Sequence, residues 1–299
     1  MTLRIGTRRS PLALAQAEEV RRRLVERGVE AEIVPMSTSG DEGAPSGDVR
    51  AGLKGLFVDT ILEALERAEI DVAVHSAKDL PAEEDGGSVI AAVPPRADPA
   101  DVLVLREDTL RNGAVIGTSS IRRRAQLLRA FPGVTVEDLR GNVDTRLRKV
   151  SEGAVDAAVL ALAGLIRLGI TPQHSAPLGR EMMVPAPGQG ALALQARADD
   201  LPTLAALAPL DHPESRAALE AERSLMWRVG GDCALPLGAL ATVDGARIEM
   251  LAIVISPDGS RIARAEVVSD SPEGAAALAT KELIADGAEE ILEALEDEG

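Results

Sequence analysis

The segment Val74-His75-Ser76-Ala77-Lys78-Asp79-Leu80-Pro81 places an imidazole, an ammonium and a carboxylate just after a short hydrophobic run. At the carboxyl end of a buried strand, Asp79 beside a cation can stabilise positive charge on a substrate. An Asp that only makes the turn before Leu80-Pro81 has the same local pattern. Arginine recurs at four further strand-to-helix turns. "IGTRRS" holds Arg8, Arg9 and Ser10; "IGTSSIRRR" holds Thr118, Ser119 and Ser120 with Arg122 and Arg123; "DLRGNVDTRL" holds Arg140 and Arg146; Arg167 follows "AAVLAL". A helix N-terminus favours anions, and each guanidinium adds a forked donor matched to carboxylate or phosphate. Any one of these arginines could be half of a solvated ion pair, but four similar turns point to a polyanionic ligand. Phosphate loops of the G-x-x-x-x-G-K-[ST] type are missing, and "GQGALA" at 188–193 is a weak match to G-x-G-x-x-G. His75, His174 and His212 lie far apart and there is no second cysteine, so no metal site is expected. The single cysteine, Cys233 in "GGDCALPLG", is either a small buried side chain or a covalent attachment point.

The elements that must position these residues alternate short β-like and helical runs, the signature of α/β architecture. In such a fold all these turns lie at the carboxyl ends of strands, the usual ligand edge. Ser10-Pro11 starts a helix, with Ser as cap and Pro in the first helical position, and Gly28 stops it. "EAEIVPM" and "DVAVH" read as strands, and the Gly/Ser/Pro-rich stretch from Gly40 to Gly52 as a mobile loop before Lys54 and Phe57. "AVIGTSSIRRRAQLLRAF" repeats the strand, turn, helix plan. After the Pro-rich passage at 184–187, "GQGALALQ" reads as a strand; residues 213–229 form an amphipathic helix, and two strands with a helix from about 273 complete a smaller α+β unit. Length and composition fit two or three domains. Residues 1–150 carry 22 Lys+Arg against 24 Asp+Glu, and residues 151–299 carry 10 against 24, within a net charge of −16. That acidity argues against nonspecific nucleic-acid binding. No apolar run is long enough to span a bilayer, the start enters a strand pattern at once, and cysteine is scarce; a cytoplasmic protein without leader or membrane segment is expected.

Nine segments in order, "TRRSPLAL", "STSGD", "KGLF", "AVHSAKDLP", "GTSSIRRRAQL", "LRGNVDTRL", "LALAGLIRLG", "PAPGQGAL" and "GGDCALPLG", resemble the hydroxymethylbilane synthase (porphobilinogen deaminase) family over nearly the whole chain. The resemblance implies two domains like the halves of a periplasmic binding protein plus a smaller C-terminal α+β domain, divided here as 1–94 with 191–208, 98–184, and 213–299. It implies a transferase that deaminates and condenses four porphobilinogen molecules on a dipyrromethane cofactor and then releases the linear tetrapyrrole. Asp79 matches the family's catalytic carboxylate, and Cys233 the thioether attachment point. Lys78, Thr118, Ser119, Ser120, Arg122, Arg123, Arg140, Gly141 and Asn142 fall on cofactor-binding motifs. Arg8, Ser10, Lys54, Phe57, Arg146, Arg167 and Gln189 fall on substrate-binding ones. The expected partners are porphobilinogen and the growing oligopyrrole, whose paired carboxylates need a lined cleft rather than a single Arg; the expected state is a monomer. Asp232 stands where the family usually has Gly; a carboxylate there slows thiol attack, although Asp tolerates a left-handed turn. A noncatalytic two-lobed anion receptor is the rival reading, and it makes Asp79 dispensable for ligand affinity.

Overall fold

The computed structural model describes residues 2–36, 53–82, 87–230 and 235–297, with backbone only for 53–59 and 296–297. The expectations for Cys233 and Asp232, for the stretch from Gly40 to Gly52, and for the side chains of Lys54 and Phe57 lie outside the described residues.

The first sheet has the order β2-β1-β3-β10-β4, built from β1 (Leu3–Arg8), β2 (Ala31–Met36), β3 (Val72–Ser76), β4 (Ser88–Ala92) and β10 (Leu192–Arg197). β1 runs parallel to β2 and β3, whereas β10 runs antiparallel to β3 and β4. Helix α1 (Pro11–Val25) covers one face through Ala17, Val20 and Leu24. On the other face Ile61, Ala64 and Leu65 of α2 (Leu53–Glu66) pack on Ala73 and Ala193. The second sheet has the order β7-β6-β8-β5-β9, from β5 (Asp101–Leu105), β6 (Val115–Gly117), β7 (Thr135–Glu137), β8 (Ala157–Ala161) and β9 (Ser175–Leu178). Its helices are α3 (Ile121–Ala130), α4 (Val143–Ser151) and α5 (Leu162–Leu168). Both sheets place an antiparallel strand next to three parallel ones, and the chain passes between them twice, at 93–100 and at 179–191. β10 belongs to the first sheet although it follows the whole second sheet in sequence, so it is the return passage that brings residues 188–190 beside the edge of β3.

α6 (Leu201–Leu207) leads into α7 (Pro213–Arg228), and the third sheet is the antiparallel meander β11 (Leu237–Asp244), β12 (Arg247–Ile255), β13 (Ile262–Ser269). Alternation decides its faces. Met250, Ala252 and Val254 face α7 and α8 (Pro272–Ala285), while Leu251, Ile253 and Ile255 pack with Ala125 of α3 and with Val184. The third unit is thereby seated on the second. The protein is α/β, with two five-stranded βα units and a smaller C-terminal α+β unit. Two features differ from the sequence reading. β11 is a third strand there, paired along its whole length with β12, and it escapes the sequence pattern because "LGALATVD" lacks a strict polar alternation. The terminal helix is broken in two, with α9 (Ala288–Asp297) restarting after Gly287, whose φ of +90° no helical residue adopts.

Candidate active site

Helix starts and strand ends converge where the first two sheets face each other. A cavity of about 260 Å³ is lined from the first sheet by Arg8, Ser10, His75, Ser76, Lys78 and Asp79, and from the second unit by Ala161, Gly164 and Arg167. Ser10 caps α1 by accepting from the Ala13 N–H at 3.3 Å. Asp79 ends a single 3₁₀ turn (Ala77–Asp79) that follows β3 directly and holds the carboxylate half-buried at the cavity wall. The return passage packs on the backbone of this turn: a Cβ on Gly188, at φ +72°, would lie 3.0 Å from the Lys78 nitrogen. Only glycine fits both the conformation and the approach.

Behind the wall lies a fully buried polar network that the sequence reading missed. Asp101, the first residue of β5, is 0% exposed and accepts from Arg122 at 2.9 Å, Arg123 at 2.7 Å and Gln189 Nε2 at 2.8 Å. Burial alone raises its carboxyl, but the Arg123 and Arg122 charges, with the Gln189 amide and Lys78, hold it down at about 2. Arg122 also donates to the Val184 carbonyl at 2.5 Å, and Arg123 to the Val159 carbonyl at 3.0 Å. Gln189 donates to the Pro99 carbonyl at 2.7 Å, which turns its Oε1 toward Arg123 (3.3 Å) and Lys78 Nζ (3.5 Å). Arg122 and Arg123 thus sit inside the second unit, and their described bonds go to protein groups rather than across an open cleft.

The other expected residues lie along the second sheet's edge, outside this cavity. Thr118 is buried and accepts from the Ser120 N–H at 3.2 Å, Ser120 caps α3, and Ser119 is exposed. Arg140 is exposed with Asp138 at 2.7 Å, and Arg146 Nε donates to the Gly141 carbonyl at 2.7 Å. Gly141 and Asn142 precede α4, and the Asn142 side chain makes no capping bond to it. Burial, and then the nearby Arg123 charge, pull the Arg146 guanidinium down from its ordinary value, so two cations share one neighbourhood. No group of three His, Cys, Asp or Glu suited to a metal occurs among the described residues, and none of their helices is long and apolar enough to cross a membrane.

His75 is the second residue that the sequence reading did not place in the site. Its Nε2 is buried with no hydrogen-bond partner among the described residues, and burial pushes the imidazole down to about 4 against the opposing pull of Asp79. The folded protein therefore binds fewer protons than the unfolded chain between pH 6.5 and 4, and stability falls as pH drops through that window. The loss expected from His75 is about 3 kcal/mol; Asp101 contributes only lower, between the ordinary carboxyl value of 3.8 and about 2. Urea titrations of wild type and His75→Gln from pH 7.5 to 4 should show a shallower pH slope in the variant, and parallel slopes would refute the assignment.

Two facing α/β units, with a carboxylate between them and arginines on both walls, make a two-lobed protein whose cavity suits an anionic ligand. The comparisons with known proteins go further. Residues 3–205 match the family model "Porphobilinogen deaminase, dipyromethane cofactor binding domain", and residues 217–285 match its C-terminal domain. Porphobilinogen deaminase of Acidithiobacillus ferrooxidans is 45% identical over 298 residues, covering 98% of this chain and 97% of that protein. That of Geobacter sulfurreducens is 43% identical, covering 97% and 93%. Among solved structures, a putative methionine-binding lipoprotein from Bacillus subtilis is similar at 13% identity, covering 70% of this chain and 89% of that one, with a TM-score of 0.42. The chain belongs to the porphobilinogen deaminase family. It is a transferase of tetrapyrrole biosynthesis (a hydroxymethylbilane synthase) that condenses porphobilinogen on a dipyrromethane cofactor.

Proposed function

We propose that the cavity between the first two sheets is where each porphobilinogen is deaminated and joined, with Asp79 as the catalytic carboxylate. The observation that carries this reading is that Asp79 shares one wall with Arg8 and Ser10 and faces Arg167 from the other unit. Guanidinium groups on both walls suit a monopyrrole bearing an acetate and a propionate. A cavity of about 260 Å³ falls below the ~300–1,000 Å³ of pockets that enclose drug-sized ligands, so it takes one pyrrole unit while the chain lies along the second sheet's edge. Asp79 hydrogen-bonds pyrrole N–H groups and stabilises the azafulvenium cation left on the substrate when ammonia departs. Lys78, held by Gln189, keeps the turn oriented, and Lys54 and Phe57 lie on the helix that enters from the first unit.

The second sheet's edge suits dipyrromethane in its donor set. Arg123 and Arg146 crowd two cations together, the Asn142 side chain makes no cap bond, and the Thr118–Ser120 and Arg140–Asn142 turns begin helices whose N–H groups favour carboxylates. When bound through a thioether to Cys233, the cofactor supplies the pyrrole carbon to which the first substrate unit is attached. The domain division is 1–94 with 191–208, 98–184 and 213–299; the protein acts as a cytoplasmic monomer and its acidity disfavours nucleic acid. Intact-mass measurement tests the tether: active protein should exceed its sequence mass by one dipyrromethane, and Cys233→Ala should remove the excess. Active protein of unmodified mass would reject it.

A further inference from the structure

Arg167 is the one cavity arginine that the second unit supplies, and it is already engaged by a carboxylate of the protein. From α5 its Nε donates at 3.1 Å to Glu19 Oε2 on α1, and its Nη2 donates at 3.0 Å to the Gly190 carbonyl on the return passage. The Arg167 side chain is 7% exposed. Its Nη1 makes no hydrogen bond among the described residues, yet the side chain lines the cavity. An incoming carboxylate can therefore meet Arg167 at its Nη1 end, but it cannot use the side-on fork of Nε and Nη2 while Glu19 occupies that edge.

A second observation shows where Glu19 can go. Its Oε1 accepts from Arg23 Nη2 at 3.0 Å, one turn further along the same helix. Arg23 Nε is buried with no hydrogen-bond partner among the described residues. A buried N–H left unpaired is costly. If Glu19 turns from Arg167 to take both Arg23 donors, that cost disappears and the carboxylate keeps a full counter-charge. Two arrangements of one cluster are then close in free energy: Glu19 bridging Arg23 and Arg167, or Glu19 forked on Arg23 with Arg167 forked on a ligand.

We propose that Glu19 is an internal competitor for Arg167 that sets the affinity of the cavity for the carboxylates of its substrate, and that it withdraws onto Arg23 when substrate binds. The proposal rests on the reading that this cavity holds a carboxylate-bearing pyrrole. It makes Glu19 a positioning residue that acts through Arg167. Because α1 and α5 belong to different units, the exchange also releases a tie between them, so capture of a carboxylate is coupled to their relative freedom.

The test uses the cofactor-loaded protein. Glu19→Gln keeps the size of the side chain but removes the competing charge, so KM for porphobilinogen should fall about three- to tenfold with kcat within twofold. Arg167→Gln should raise KM, and Glu19→Gln in that background should then change nothing. A KM that is unchanged or raised by Glu19→Gln, or an equal fall without Arg167, would overturn the proposal, since a purely structural ion pair has no reason to tighten binding when broken. Citrate, as a tricarboxylate probe in a binding titration, separates the two layers of the argument. An Arg167→Gln protein whose KM for porphobilinogen stays at the wild-type value removes the reading that this cavity holds the substrate, while citrate binding more tightly to Glu19→Gln than to wild type still supports the exchange. Equal citrate affinities would reject it.

Discussion

Asp79→Asn is expected to lower kcat by about 10²- to 10³-fold, the usual cost of deleting one group that stabilises charge in a transition state, while KM stays within about threefold. The separation follows from charge. Arg8 and Arg167 are the cavity groups suited to substrate carboxylates, whereas Asp79, at the end of its 3₁₀ turn, brings a negative charge to the same cavity. Asn is nearly isosteric, keeps an acceptor for pyrrole N–H and leaves the turn in place, so only the negative charge is lost. That charge matters most when the substrate becomes cationic on losing ammonia. Because the cofactor is itself made of condensed pyrroles, rates must be normalised to the fraction of protein that carries it, read from intact mass. Ammonia release followed in a single turnover then reports the chemical step. A normalised kcat within tenfold of wild type would remove Asp79 from the chemistry, and so would a loss confined to KM.

What could be read in the residues and what could not divides along physical lines. Local rules were sufficient for Ser10, whose hydroxyl caps α1, and for the strand-to-helix turns that carry Thr118, Arg140 and Asp79, because capping and turn chemistry act over three or four residues. The fold class followed from alternating patterns. Long-range polar pairing is invisible to such rules. Asp101 opens the hydrophobic strand "DVLVL" with no motif around it, and its partners lie 21, 22 and 88 residues away. Arg122 and Arg123 read as anion-binding because they begin a helix, yet spacing does not say which side of α3 faces the interior; the first of them is 4% exposed. His75 looked like one polar residue among several, and only the packing on β3 shows that its Nε2 is sealed without a partner. The motif resemblance supplied names for many positions, but it did not distinguish a residue that touches ligand from one that holds such a residue in place.

That distinction has a measurable consequence at Asp101. Asp101→Asn leaves the guanidinium groups of Arg122 and Arg123 buried side by side without their counter-charge, a situation that costs about 3–5 kcal/mol. For a chain of this size that is a fall in Tm of roughly 10 °C. Removing the charges together should be milder: in Asp101→Asn with Arg122→Met and Arg123→Met no isolated ion remains, and the destabilisation should be smaller than in the single variant. Urea denaturation of the two proteins decides the point, and equal or greater loss in the triple variant would show that the network is not electrostatically coupled. The same substitution should reach the active site by a defined route. Asp101 and the Pro99 carbonyl together fix the Gln189 amide, whose Oε1 faces both Arg123 and Lys78. Without the carboxylate the amide can reverse, and an NH₂ group then faces two cations. Lys78 loses the Gln189 acceptor beside Asp79, so turnover at 25 °C, where the variant is still folded, should fall further than heat stability alone explains. Arg122→Lys provides the matching case. A point charge cannot bridge Asp101 and the Val184 carbonyl as the fork does, so it should impair turnover while retaining the charge balance that Asp101→Asn destroys.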